Sequence, residues 1–150
     1  MNVAAERRRE DLARLEAMCA ASNGRLRVTD RSGDAPSEIT IQLACRTAGS
    51  ESYPSRVVER VRARIRFPHR YPFQEPLVEL DPPVFHPNVY QSGRVCLGFT
   101  WLPTESLDLL VRRLARIVTF DPLVLNTSSP ANPAAARWYL ATSFTLDLSD

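Results

Sequence analysis

Between Val57 and Phe67 the chain alternates with unusual strictness. Val61, Ala63, Ile65 and Phe67 fall on one side, and Arg60, Arg62, Arg64 and Arg66 on the other. A period of two belongs to a strand, because successive side chains point to opposite faces. Aliphatics against one face and cations on the other describe an antiparallel sheet covered on one side only. Ile39 to Cys45 repeats the pattern, with Ile39, Ile41, Leu43 and Cys45 against Thr40, Gln42 and Ala44. Arg25 to Thr29 and Leu77 to Leu80 read as two shorter strands, and the Gly, Asp, Pro and Ser of 31–37 as a turn.

Three helical stretches supply the cover. Ala4 to Ala21 carries Leu12, Leu15 and Cys19 on one stripe, and Asn23-Gly24 suits the left-handed geometry that ends a helix. Ser106 to Thr119 has a continuous apolar stripe of Leu107, Leu110, Val111, Leu114, Ile117 and Val118, with Arg112, Arg113 and Arg116 outside and Thr104 as its N-cap. Asn132 caps a third helix that starts at Pro133 and runs to about Thr142. Prolines 68, 72 and 76 keep 67–76 as loop, 120–130 is loop, and 143–150 is a short acidic tail. The order predicts one α+β domain over 1–150: an N-terminal helix, a four-stranded antiparallel meander, an irregular segment, then two helices.

Composition narrows the function classes. The apolar and charged fractions, 44% and 24%, are ordinary for a soluble globular protein. No apolar run is long enough to span a membrane, and the N-terminus is charged rather than signal-like, so a cytoplasmic protein is expected. A net charge of +2 does not point to nucleic acid. Three cysteines at wide spacings and two histidines indicate neither a disulfide framework nor a metal site, and no cofactor is implied. All 19 basic residues are arginine. Codon usage in a GC-rich bacterial genome would account for that; a functional reading is that a lysine-free chain has no side-chain ammonium to be acylated.

The irregular segment Phe85 to Trp101 holds the candidate chemistry. Cys19 and Cys45 fall on apolar stripes, where a thiol is inert. Cys96 alone lies in an aperiodic stretch, eight residues beyond Asn88. Thiolate is the reactive form of cysteine, and an ordinary thiol with a pKa of about 8.5 keeps a small thiolate fraction at neutral pH.

Order and motifs together resemble the ubiquitin-conjugating enzyme family. The residues that carry the resemblance are Tyr71-Pro72-Phe73, His86-Pro87-Asn88, Gly93 before and Leu97 after Cys96, Trp101 with Pro103, and Ser129-Pro130 followed by Ala136 and Tyr139. The resemblance implies that Cys96 accepts a ubiquitin-like protein from an activating enzyme as a thioester and passes it to an amine. Asn88 would stabilise the oxyanion or hold the loop, while Ser129, where many relatives have aspartate, would orient the amine. His86, Pro87, Gly93 and Trp101 would shape the loop. Arg7 and Arg8 on the first helix would meet the activating enzyme; Phe73, Leu102 and Pro103 would meet activating enzymes and ligases. By burial rules alone Phe73 divides evenly between core and surface. The Arg60 to Arg66 face resembles the sheet backside where some relatives bind ubiquitin, although a solvated face suffices.

Several features depart from the family. The segment from Cys96 to Trp101 is shorter than usual, the 121–130 loop is longer, and one helix follows it where common eukaryotic members add a second. With the all-arginine usage these imply a bacterial member. Such members are encoded beside an activating enzyme, a ubiquitin-like protein and a deconjugating peptidase, several implicated in antiphage defence. Three alternatives stand beside this reading: a cysteine hydrolase using His86 or His69, an inactive binding module of the same fold, and a purely structural thiol at Cys96.

Overall fold

The computed structural model describes residues 2–142. The acidic tail predicted from Ser143 lies outside them. Helix α1 (Val3–Ala20) opens the chain, with the Asn2 side chain accepting the Ala5 N–H at 3.1 Å as its N-cap. Asn23 and Gly24 follow it with positive φ (54° and 81°), so the chain turns back as predicted. Strands β1 (Leu26–Arg31), β2 (Glu38–Leu43), β5 (Val61–Arg66) and β6 (Leu77–Leu80) form one antiparallel sheet in the order β1-β2-β5-β6. Ile39 pairs with Ile65, Ile41 with Ala63 and Leu43 with Val61, so the inward residues of the two central strands meet directly.

Helix α2 (Leu107–Val118) lays its whole predicted stripe into the core with the inward residues of the sheet. Leu107, Leu110, Leu114 and Ile117 are fully buried, each contributing about 1.5–3 kcal/mol. Its N-cap position is Ser106, whose side chain makes no capping bond; Thr104, the predicted cap, stands two residues too early. A 3-10 turn (Pro122–Val124) leads to α3 (Pro133–Ala141), where the Asn132 side chain accepts the Ala135 N–H as predicted. Among the described residues no helix is long and apolar enough to cross a membrane.

The alternation over Val57 to Phe67 is not one strand. It is broken at Glu59 and Arg60: β4 (Val57–Val58) pairs instead with β3 (Thr47–Ala48) in a separate ribbon. Arg60 therefore lies off the arginine ladder. This ribbon belongs to a second small core, where Ala48, Tyr53 and Phe120 pack with Trp138 and Tyr139 of α3. On the open face Arg64 pairs with Glu79 and Arg62 with Asp81 at 3.3 Å, so the strand's charge is partly matched across the sheet.

Candidate active-site cysteine

Cys96 is half-buried and follows a glycine turn that only glycine can make. Gly93 has φ +95°, and a Cβ there would stand 2.1 Å from the Leu80 carbonyl oxygen. That close approach lets the Leu80 N–H donate to the Gly93 carbonyl at 2.8 Å and the Val95 N–H to the Val78 carbonyl at 2.9 Å. The segment before Cys96 is thus laid along the outer edge of β6. Cys96 then donates its own N–H to the Asn88 carbonyl at 2.8 Å.

Asn88 is fully buried and both ends of its amide are engaged. Nδ2 donates to the Val124 carbonyl at 2.8 Å, and Oδ1 accepts the Asn126 N–H at 2.9 Å. Asn126 in turn grips Ser129: its Nδ2 donates to the Ser129 carbonyl at 2.9 Å, and its Oδ1 accepts the Ser129 N–H at 3.0 Å. The three residues singled out for catalysis, Cys96, Asn88 and Ser129, therefore lie on one chain of hydrogen bonds. Asn126 is the link that sequence reasoning missed. Its signal is weak, a single Asn in a loop rich in Asn, Thr and Ser. Ser129 itself is exposed. Of the two roles weighed for Asn88, this geometry carries loop-holding directly: the amide staples 124–126 to the cysteine loop.

His86 is wholly buried beside the Phe120 ring, 4.4 Å between centroids. Nδ1 accepts the Asn88 N–H at 2.9 Å, which puts the ring proton on Nε2. Burial pushes its pKa down to about 3; the Ile117 backbone, at a geometry short of a full hydrogen bond, opposes this only in part. It is a neutral loop strut. Pro87 is buried beside it, its carbonyl accepting the Asn132 N–H at 3.1 Å. His69 is exposed, against Val3 and Phe73 rather than in the groove at Cys96.

On its other side Cys96 opens into a groove of about 750 Å³, lined among others by Glu75, Leu77, Tyr90, Ser92 and Phe99. None of Asn88, Asn126 or Ser129 lines it. The short segment beyond the cysteine is fixed from α2: Arg113 donates through Nε to the Leu97 carbonyl at 2.6 Å and stacks 5.1 Å over the Phe99 ring. Arg113 was predicted to lie outside with Arg112 and Arg116. Its place on the helix is outward, but its head folds back onto the Leu97 and Gly98 carbonyls just beyond the cysteine. Trp101 is half-buried and donates Nε1–H to the Pro72 carbonyl at 2.7 Å, tying the two loops together.

The predicted partner residues divide. Phe73 is 75% exposed, which settles its even odds, and Leu102 is 51% exposed, with half-buried Pro103 beside it in the chain. Arg8 is half-buried and donates to the Ala35 carbonyl at 3.3 Å. Arg7 points inward. It pairs with buried Asp11 at 2.9 Å and donates to the carbonyls of Pro103, at 2.6 Å, and Glu105. The Tyr71 hydroxyl also donates to Asp11, and burial together with that carboxylate pushes the phenol's pKa up. Arg7 thus fastens α1 to the loop that carries Leu102.

Fold and site together define a class: an α+β domain in which a held cysteine, without a histidine assigned to it, stands between a groove and an amide-braced loop. The ubiquitin-conjugating enzyme family model matches residues 58–144, and the chain belongs to that family. It is 34% identical over 89 residues to a ubiquitin-conjugating enzyme E2 of African swine fever virus (isolate Pig/Kenya/KEN-50/1950), covering 52% of this chain and 39% of the relative. It is 37% identical over 81 residues to ubiquitin-conjugating enzyme E2 2 of Yarrowia lipolytica, covering 52% and 51%. The matched part is thus about half the length of these relatives or less. Among solved structures, S. cerevisiae Ubc12 superposes with a TM-score of 0.66 at 22% identity, covering 95% of this chain and 74% of that one, a likeness of fold.

Proposed function

We propose that the chain is a carrier that takes a ubiquitin-like protein onto Cys96 as a thioester and hands it to an acceptor amine. One observation carries the reading: Cys96 hangs by its N–H from Asn88, whose side chain braces the loop bearing Ser129, with an open groove on the other side. In the first step the Cys96 thiolate attacks the acyl carbon held by the activating enzyme's thiol. A new C–S bond forms and the old one breaks. In the second step a neutral amine attacks, the C–N bond forms, the C–S bond breaks with the Cys96 thiolate leaving, and the amine's surplus proton passes to solvent. A thioester carrier needs a nucleophile that is also a good leaving group, so a strongly activating base is not required. The hydrolase alternative loses its base, since His86 is spent on the loop. The inactive-module alternative predicts a missing or sealed cysteine, whereas Cys96 is present and faces the groove.

The reading extends to partners and setting. The exposed Phe73 and Leu102 serve as the docking pair for an activating enzyme and a ligase, supported by their exposure on neighbouring loops tied by Trp101. A bacterial, cytoplasmic conjugation system with its own peptidase, of the antiphage type, is the proposed setting; the arginine-only basic composition supports it. The test is charging with ATP, an activating enzyme and a ubiquitin-like protein drawn from the same gene neighbourhood. A reductant-sensitive adduct that disappears in Cys96→Ala supports the carrier. Turnover of a chromogenic ester by the chain alone, with no adduct, supports the hydrolase instead.

A further inference from the structure

Arg94 and Cys96 project from the same side of one extended segment. Arg94 bridges Glu79, and the Val95 N–H reaches the Val78 carbonyl, so the backbone is extended from 94 to 96. Alternate residues on an extended chain face the same way. All three border the groove, but Val95 is buried and packs into the core, whereas Arg94 is exposed and Cys96 half-buried. A side chain at 94 is therefore placed to meet whatever is bonded to the Cys96 sulfur. Arg94 is exposed, and the Glu79 carboxylate beside it is taken by Arg64. Its guanidinium makes no ion pair among the described residues, so its positive charge is available to the groove.

We infer that Arg94 places a cation beside the Cys96 thioester in a form that cannot be acylated, and that the chain's freedom from lysine protects the thioester from self-transfer. This rests on the thioester reading above. A lysine at 94 would be an interceptor. After losing one proton to solvent, its nitrogen would attack the acyl carbon, a C–N bond would form, the C–S bond would break with the Cys96 thiolate leaving, and the nitrogen would give up a second proton to solvent to become the neutral amide. At pH 8 a lysine of ordinary pKa (about 10.4) is roughly 0.4% free amine. Tethered two residues away, that fraction acts at high effective concentration. A guanidinium stays protonated and has no localised lone pair, so it keeps the charge without the nucleophile. The consequence is a carrier whose side chains offer no amine, and which delivers its acyl group to amines in trans.

The test uses the full chain charged at pH 8 with the cognate activating enzyme, the ubiquitin-like protein and ATP. Adducts are followed on gels with and without reductant and located by mass spectrometry. Arg94→Lys should convert to a reductant-resistant self-adduct at residue 94 at least tenfold faster than wild type, accelerating about tenfold per pH unit below the lysine pKa. Thr100→Lys, from an exposed position on the groove wall, should do the same should Arg94→Lys prove unstable. Arg14→Lys, exposed on α1, should behave as wild type. If Arg94→Lys and Thr100→Lys keep their thioesters as long as wild type, arginine usage is compositional only and the inference fails. If wild type shows no reductant-sensitive adduct at all, the carrier reading itself falls and takes this inference with it.

Discussion

Removing the Asn88 side chain should loosen the site and the fold together. Asn88→Ala deletes two hydrogen bonds, Nδ2 to the Val124 carbonyl and the Asn126 N–H to Oδ1. Each is worth about 1 kcal/mol net. Val124 is buried, so its carbonyl is left unpaired at a cost of about 1–3 kcal/mol, whereas half-buried Asn126 can turn to water. The sum is about 2–4 kcal/mol. With a urea dependence near 2 kcal/mol per M, the unfolding midpoint should fall by about 1–2 M. The fluorescence of Trp101 and Trp138 reports the transition. Asn88→Asp separates the two ends of the amide: it keeps the acceptor for Asn126 but sets a carboxylate against the Val124 carbonyl, so it should cost at least as much. If Asn88→Ala unfolds within about 0.5 kcal/mol of wild type, the amide is not a staple and any loss of charging must be chemical.

Other perturbations test separate joints. Gly93→Ala forces a Cβ into the Leu80 carbonyl at a positive φ and should cost more than the ~1–2 kcal/mol of left-handed strain alone, read by thermal or urea unfolding. Arg113→Ala frees the Leu97 carbonyl and the Phe99 ring; stability should fall by about 1–2 kcal/mol and adduct formation should slow, in parallel unfolding and charging assays. Burial pushes the His86 pKa down to about 3 in the fold, against about 6.5 when unfolded, so the unfolded state binds more protons between those values. Its contribution is complete above pH 6.5 and is lost as pH falls toward 3, at up to about 1.4 kcal/mol per unit. Urea unfolding from pH 7 to 4.5 should show this slope, and His86→Asn, which can still accept the Asn88 N–H, should flatten it.

Periodic elements were legible from sequence because burial has one geometry for each period. The α2 stripe from Leu107 to Val118 and the inward ladder of Ile39, Ile41 and Leu43 against Ile65, Ala63 and Val61 emerge as expected, while Cys45 falls beyond the end of β2. The β3–β4 ribbon was not legible: two-residue strands carry no period, and Val57-Val58 runs directly into the longer alternation. The polar joints were hidden for another reason. Arginine on a helix surface reads as solvated, and only the folded distance shows Arg7 reaching Pro103 and Arg113 reaching Leu97. At the site, the Asn88-to-Cys96 constellation was visible as a motif, but the link through Asn126 joins positions 38 residues apart and has no local signature.

The most direct measurement is the mass of the charged chain's peptides under non-reducing conditions. Because every basic residue is arginine, trypsin leaves Cys19, Cys45 and Cys96 in three different peptides, the last spanning Val95 to Arg112. The account predicts that, with activating enzyme, ATP and ubiquitin-like protein, the acyl mass appears on Val95–Arg112 alone and is released by hydroxylamine. The same mass on the Cys19 or Cys45 peptide, or an unmodified Val95–Arg112 from a productively charging mixture, would contradict it.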